Sequence, residues 1–531
     1  MNKRSITVMF ILICLSPFIL MACSGEESGG SESAAAQDTL IFARGGDSVS
    51  LDPSEVTDGE SENVAQSILE TLTTFAEGET TVEPMLATEW NESEDGLTYT
   101  FTLREGVKFH DGTDFNAEAV VFNFERWMNG NADNFPMYGS VFGGYKADAA
   151  HNIASVRAVD ASTVEIKLNG PQPTLLKDLA LTPLSISSPA AIEQSGEEYK
   201  SNPVGTGPFI FKEWVRNDRI VLEKNSEYWL DGYPKLEQVI FRTIPDNSAR
   251  LNALLSGEVD LIAGLDSENH AQIEENPELA LFSRPPLNLG YLGMTLTHEP
   301  FDDPLVRQAL SHAVNKDALV EAFFGEGAIA AKNPIPPAVE GYNDAIEPYP
   351  YDPEKAKELL AEAGLPDGFE MELYAMPVSR PYMPDGAKVA EYLQSNFAEI
   401  GVKAEIVTFE WATYIEKALN GEADAFLLGW TGMNGDADNF LYTLWHGDNI
   451  GSTNSTQYDN PELNKLLDQA RTTTDQEERN EIYKQAQVIM HEDPPVIPLV
   501  HTSPTLAGKE NITGFDPHPT GRVITTKIEF E

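Results

Sequence analysis

Two stretches far apart in the chain carry one pattern, and it limits the fold more than any other feature. Ala249 to Leu265 reads ARLNALLSGEVDLIAGL, and Thr413 to Trp430 reads TYIEKALNGEADAFLLGW. Each is an amphipathic helix, a small polar residue, Gly-Glu-x-Asp and a short apolar strand. The glycine suits the left-handed position just past a helix end, and the unbroken apolar run suits a strand covered on both faces. Two such units imply two α/β lobes of like topology, with a ligand cleft between them. Chance likeness of two helix–strand units is the plainer alternative.

Helix and strand signals alternate throughout, which places the chain in the α/β class. Asp303-Pro304, Asp352-Pro353 and Asn460-Pro461 each set a capping side chain before a proline at the first helical position. A further helix is expected over Asp475 to Met490, and one starting near Asn116 after the Asp111-Gly112 turn. His110 beside that turn reads as a packed or surface histidine in preference to a ligand or base.

The N-terminus determines where the body works. Lys3 and Arg4 precede an almost wholly apolar run from Ile6 to Met21, short for a membrane span of roughly 20 apolar residues and suited to a secretory leader. It ends at Leu20-Met21-Ala22-Cys23, which resembles a bacterial lipobox. Residues 1–22 are expected to be a lipoprotein signal peptide and Cys23 the lipidated residue. Residues 23–38, SGEESGGSESAAAQD after the cysteine, lack the apolar content to pack and read as a flexible tether. The folded body is then extracytoplasmic, anchored to the cell membrane by lipid alone; an uncleaved anchor is the plainer reading and gives the same location.

The only other cysteine is Cys14, inside the leader. A body of roughly 490 residues has core enough to hold without disulfides, and thiol catalysis and cysteine-based zinc sites are excluded with it. The formal charge is −50, from 35 basic and 85 acidic residues. Such a surface excludes nucleic acid as a partner and electrostatic docking on anionic lipid. Motifs of nucleophilic, metal and phosphate chemistry are missing, Gly205-Thr206-Gly207 lacks the third glycine of a dinucleotide loop, and Asp436-Ala437-Asp438 lacks the spacing of a calcium loop. No enzyme activity, cofactor or metal is expected.

Seven segments, in order, resemble the family 5 extracellular solute-binding proteins of ABC importers, and in particular their di- and oligopeptide-binding members. They are SEDGLTYTFTLREGVKFHDGTDF (Ser93 to Phe115), PVGTGPF (Pro203 to Phe209), VRQALSHAVNKDAL (Val306 to Leu319), YDPEKAKELLAEAGL (Tyr351 to Leu365), AMPVSRPYMP (Ala375 to Pro384), GWTGMNGDADNF (Gly429 to Phe440) and YKQAQVIMH (Tyr483 to His491). The resemblance implies a two-lobed periplasmic-binding-protein clamshell, type II-like, with an additional subdomain inserted in lobe I. Lobe I would comprise residues 39–59, 203–284 and 501–531, the subdomain 60–202 and lobe II 285–500. It also implies a peptide ligand, delivery to ABC permease subunits, and a monomer. A non-peptide solute such as a metal chelate, or a secreted sensor or adhesion module, stays open.

The resemblance places the ligand on two segments. Arg380, between Pro377 and Pro381, matches the arginine that takes the ligand's C-terminal carboxylate, a fitting partner for a planar guanidinium. Tyr382 matches a cleft tyrosine. Trp430, Thr431 and Gly432 form a glycine-rich loop after a buried strand, with the Trp430 face offered to a ligand side chain or packed in the core. Met433 stands where peptide-binding members carry an aspartate for the ligand's α-ammonium. A thioether cannot neutralise that charge, and Asp436, three residues on, is the candidate replacement.

Overall fold

The computed structural model describes residues 38–265, 269–325 and 327–531. The expectations for the signal peptide, Cys23 and nearly all of the tether fall outside these residues.

A seven-stranded sheet draws its strands from three separated parts of the chain. Its order is Leu279–Ser283, Thr505–Lys509, Leu261–Ile262, Thr39–Arg44, Gln238–Thr243, Arg219–Lys224 and Phe209–Val215. A six-stranded sheet follows the order Ile329–Ala330, Val496–His501, Asn288–Met294, Ala425–Thr431, Glu370–Tyr374 and Lys403–Val407. A four-stranded antiparallel sheet, built from Ala87–Glu92, Thr98–Leu103, Thr163–Leu168 and Ile153–Asp160, packs on the helix Ala117–Met128. The helices start where capping chemistry places them: Asn116, Asp303, Asp352, Asn460 and Asp475 each accept a backbone N–H of their own first turn.

The repeated pattern makes the same structure twice. In the first copy Gly257 has φ +74° and its N–H donates to Leu254 O, while Glu258 N donates to Ala253 O. In the second, Gly421 has φ +69° and donates to Ala418 O, while Glu422 N donates to Lys417 O. Both helices thus close in one glycine-dependent cap. The aspartate then fixes the strand that follows. Asp260 Oδ2 accepts from Ile41 N at 2.7 Å, on the parallel neighbour, and pairs with Lys509 at 2.6 Å. Asp424 Oδ2 accepts from Glu372 N at 2.9 Å, again on the parallel neighbour, and pairs with His298 at 2.9 Å.

Two adjacent crossings join the large sheets. Ser283 pairs with Thr505 at the edge of the first, and Gly290 pairs with Val500 in the second. Between them Arg284 N donates to Pro504 O at 2.9 Å. Asn288 Nδ2 donates to Thr502 O at 2.9 Å, and its Oδ1 accepts from Thr502 N at 2.9 Å and Thr502 Oγ1 at 3.0 Å. Buried His501 places Nδ1 2.7 Å from Asn288 O. Burial lowers its pKa to about 4, so it is neutral at neutral pH and donates there.

Candidate functional site

Both segments singled out in the sequence hang from these crossings. Thr502 Oγ1 donates to Pro381 O at 2.8 Å, and Gly432 N donates to Leu287 O at 2.7 Å. The Arg380 turn and the Trp430 loop are therefore brought together on one platform, although they lie some fifty residues apart in sequence.

Arg380 N and Met383 O bond at 3.0 Å, and Met383 N and Arg380 O at 2.9 Å, closing a tight turn between two prolines. Tyr382, in the middle of that turn, is buried, and its ring lies on Gly429, where a Cβ would overlap it. Tyr382 is thus a floor beneath the loops more than a side chain standing in the cleft. Burial raises its hydroxyl pKa, and the nearby Arg380 charge opposes the rise. The Arg380 guanidinium itself is exposed and stacks on the Trp411 ring at 5.1 Å. Among the described residues no carboxylate pairs with it.

The facing loop is organised by Asn439, a residue that the sequence reading did not single out. Its Oδ1 accepts from Trp430 Nε1 at 3.2 Å and from Met433 N at 3.1 Å. Trp430 is half-buried against the core, Thr431 is exposed, and Gly432 approaches Phe440 so closely that a side chain would not fit. Met433 is half-buried and lines a cavity of about 640 Å³ between this loop and residues 140–181.

Asp436 departs from expectation. Arg479 holds both of its carboxylate oxygens at 2.7 Å, and Lys177 lies 3.7 Å away. These cations hold the carboxyl far below the usual carboxylate range despite full burial. The carboxylate is saturated by the protein and is not available to an incoming ammonium. Arg479 also donates to Tyr483 Oη at 2.7 Å and Ala470 O at 3.0 Å. It comes from the first turn of the helix Gln476–Glu492, where sequence periodicity registers only the apolar face and gives no sign of a buried charge.

The same loop touches Lys177 and Asp178. Asn434 Nδ2 donates to Asp178 Oδ1 at 3.0 Å, and Lys177 Nζ donates to Gly435 O at 3.4 Å. Lys177 also pairs with Glu340 at 3.3 Å. His110 is accounted for locally: its Nε2 bonds Gly207 O at 2.9 Å, and burial lowers its pKa to about 4. The Gly205-Thr206-Gly207 turn serves close packing, since a Cβ at either glycine would collide with the backbone of Ile68, and Thr206 donates to buried Glu70 at 2.7 Å.

Comparison with known proteins accords with this architecture. Residues 81–452 match the bacterial extracellular solute-binding proteins, family 5 Middle. Heme-binding protein A of Haemophilus influenzae is 36% identical over 530 residues, covering 96% of this chain and 97% of its own. The dipeptide-binding protein of Escherichia coli K12 is 37% identical over 508 residues, covering 93% and 95%. Among solved structures, the ABC transporter-associated periplasmic binding protein DppA from Helicobacter pylori, in complex with the peptide STSA, superposes with a TM-score of 0.76 at 35% identity, covering 93% of this chain and 98% of that one. The chain belongs to family 5 of the bacterial extracellular solute-binding proteins.

Proposed function

We propose that this protein captures peptides with a free C-terminal carboxylate between its two lobes and hands them to the permease of an ABC importer. The observation that carries the reading is Arg380: exposed, fixed in a turn tied to the crossing, and without a carboxylate among the described residues. A guanidinium held in this way is preorganised for two parallel hydrogen bonds to a carboxylate. Trp430 adds an apolar face that accepts varied side chains. Membership of a family of transport binding proteins supports a non-catalytic body that works outside the cytoplasm. Anchoring through Cys23 and a tether to residue 38, a discontinuous lobe I with residues 60–202 inserted, and a monomeric state complete the proposal.

The relatives' names range from heme to dipeptides, and one feature favours a solute other than a plain dipeptide. Met433 offers no charge, and Asp436 is committed to Arg479, so the α-ammonium of a dipeptide has no evident partner. Native mass spectrometry of the purified protein, followed by calorimetry with di- to hexapeptides, tests the reading. A co-purified peptide and measurable binding of at least one series are expected; a co-purified non-peptide with no peptide heat would contradict it. Met433→Asp should improve dipeptide affinity by about tenfold, ~1.4 kcal/mol. No gain would place the cause of selectivity elsewhere in the cleft.

A further inference from the structure

Most buried arginines of this protein have a visible partner. Arg44 faces Glu60 and Asp47, Arg307 faces Asp493, and Arg479 holds Asp436. Arg250 donates to the backbone oxygens of Ala263, Ile244 and Pro245. Arg284, which is half-buried, does not follow the rule. Its Nε is buried with no acceptor, and among the described residues its side chain has neither an ion pair nor a protein oxygen to donate to. Burial lowers its pKa to about 10, with no neighbouring carboxylate opposing the shift.

Arg522, also half-buried, is partly satisfied. Its Nη2 donates to Ala180 O at 3.1 Å, but Nη1 is buried with no acceptor. Glu62 is the carboxylate whose charge reaches it, without coming into ion-pair range, and burial lowers the Arg522 pKa to about 10. Arg284 Nη1 lies 3.6 Å from where a Cβ on Gly521, the residue before Arg522, would stand, and buried His518 senses both charges. His518 is itself held at about 4 by burial, so at neutral pH it adds no charge. The carboxylate of Asp516 is engaged by Gly78 N at 2.6 Å. In a chain of 85 acidic residues, a half-buried guanidinium whose Nε is shut away without an acceptor is an arrangement that an anionic partner would relieve.

Their place in the fold indicates which partner. Arg284 lies on the crossing, three residues before Leu287, which holds the Trp430 loop, and its own N–H bonds Pro504, two residues past Thr502, which holds the Arg380 turn. We propose that Arg284 is a second anion-recognition position of the same site and takes a side-chain carboxylate of the ligand, so that the solute is an acidic peptide. This rests on the peptide reading above.

The test is calorimetry with two isosteric tripeptide pairs, Glu-Ala-Ala against Gln-Ala-Ala and Ala-Glu-Ala against Ala-Gln-Ala, on the full chain and on Arg284→Met and Arg284→Lys. At least one pair should favour Glu by about tenfold in the native protein, with the ratio falling towards one in Arg284→Met and partly kept in Arg284→Lys. A ratio near one in the native protein, or one unchanged by Arg284→Met, overturns the proposal. If no peptide binds, the peptide reading itself fails, and the arginines are then judged with inorganic phosphate. A rise in melting temperature over chloride of equal ionic strength, absent in Arg284→Met, upholds an anion site; no rise, or the same rise in both, overturns it.

Discussion

Arg479 and Arg380 carry the same charge and lie on the same side of the molecule's two crossings, yet their surroundings are opposite. Arg479 is 1% exposed, grips both oxygens of Asp436 at 2.7 Å and touches Tyr483 and Ala470 as well. Arg380 is exposed and meets an aromatic face, Trp411, in place of a carboxylate. The difference separates a cation whose hydrogen-bonding capacity is filled by the fold from one whose capacity is left open. The first orders the loop from Met433 to Asn439, which Asn434 and Asp436 join to the helix turn at Lys177 and Asp178. The second is ordered by the Thr502 hydroxyl, the turn to Met383 and the Trp411 ring, with no carboxylate among the described residues, so its charge is left for something that arrives from outside.

Removing the closed pair should have the largest effect. Arg479→Ala leaves Asp436 buried with Lys177, 3.7 Å away, as its remaining cation, and a loss of about 3 kcal/mol of stability is expected, read as a fall in melting temperature. A small fall would mean that Lys177 alone suffices to hold Asp436. The depressed Asp436 pKa gives the pair a pH signature: its contribution is full above the ordinary aspartate range and is lost as pH falls through and below that range. Arg479→Ala should therefore lose stability at neutral pH and converge on the native protein in acid.

Gly429→Ala perturbs the floor that both loops share. The new methyl meets the Tyr382 ring and Leu289 O, so about 2 kcal/mol of destabilisation is expected, with ligand affinity falling as the Arg380 turn shifts. Unchanged affinity at reduced stability would separate the turn from the site.

Asp438 gives a smaller effect of opposite sign to Asp436. Burial raises its carboxyl pKa to about 6, with Arg471 at 3.6 Å opposing the shift, and one oxygen lacks a hydrogen-bond partner. The folded state therefore binds a proton more readily than the unfolded chain, and stability declines as pH rises from about 4 to about 6. Asp438→Asn should flatten that decline and gain about 1 kcal/mol above it, a value held down because the side chain remains 20% exposed. A decline that persists in the variant would assign it to other buried carboxyls, such as Glu70 or Glu62, which burial raises to about 7.

Local chemistry was legible in the sequence. Asp-Pro and Asn-Pro starts became capped helices, and Gly-Glu became the same cap at both helix ends, because each depends on residues within about one turn of each other. Arg380 and the Trp430 loop were legible through their motifs. What escaped were pairings set by distant chain: Asp436 finds Arg479 43 residues away, and Asn288 finds Thr502 214 residues away. The burial of Tyr382 escaped for the same reason, since the Gly429 surface that receives its ring exists only once the sheet has formed. The unpartnered state of Arg284 had no sequence signal at all, because a missing partner leaves no motif.

The central claim is that Arg380 is open for a ligand's terminal carboxylate while Arg479 is closed by the fold. Its most direct test is a calorimetric cycle pairing the native protein and Arg380→Ala with one bound peptide and the C-terminal amide of that peptide. The account predicts that the free acid binds the native protein at least about tenfold, ~1.4 kcal/mol, more tightly than the amide. It also predicts that Arg380→Ala abolishes that preference without lowering the melting temperature. Equal affinity of acid and amide in the native protein, or a preference that survives in Arg380→Ala, would contradict it.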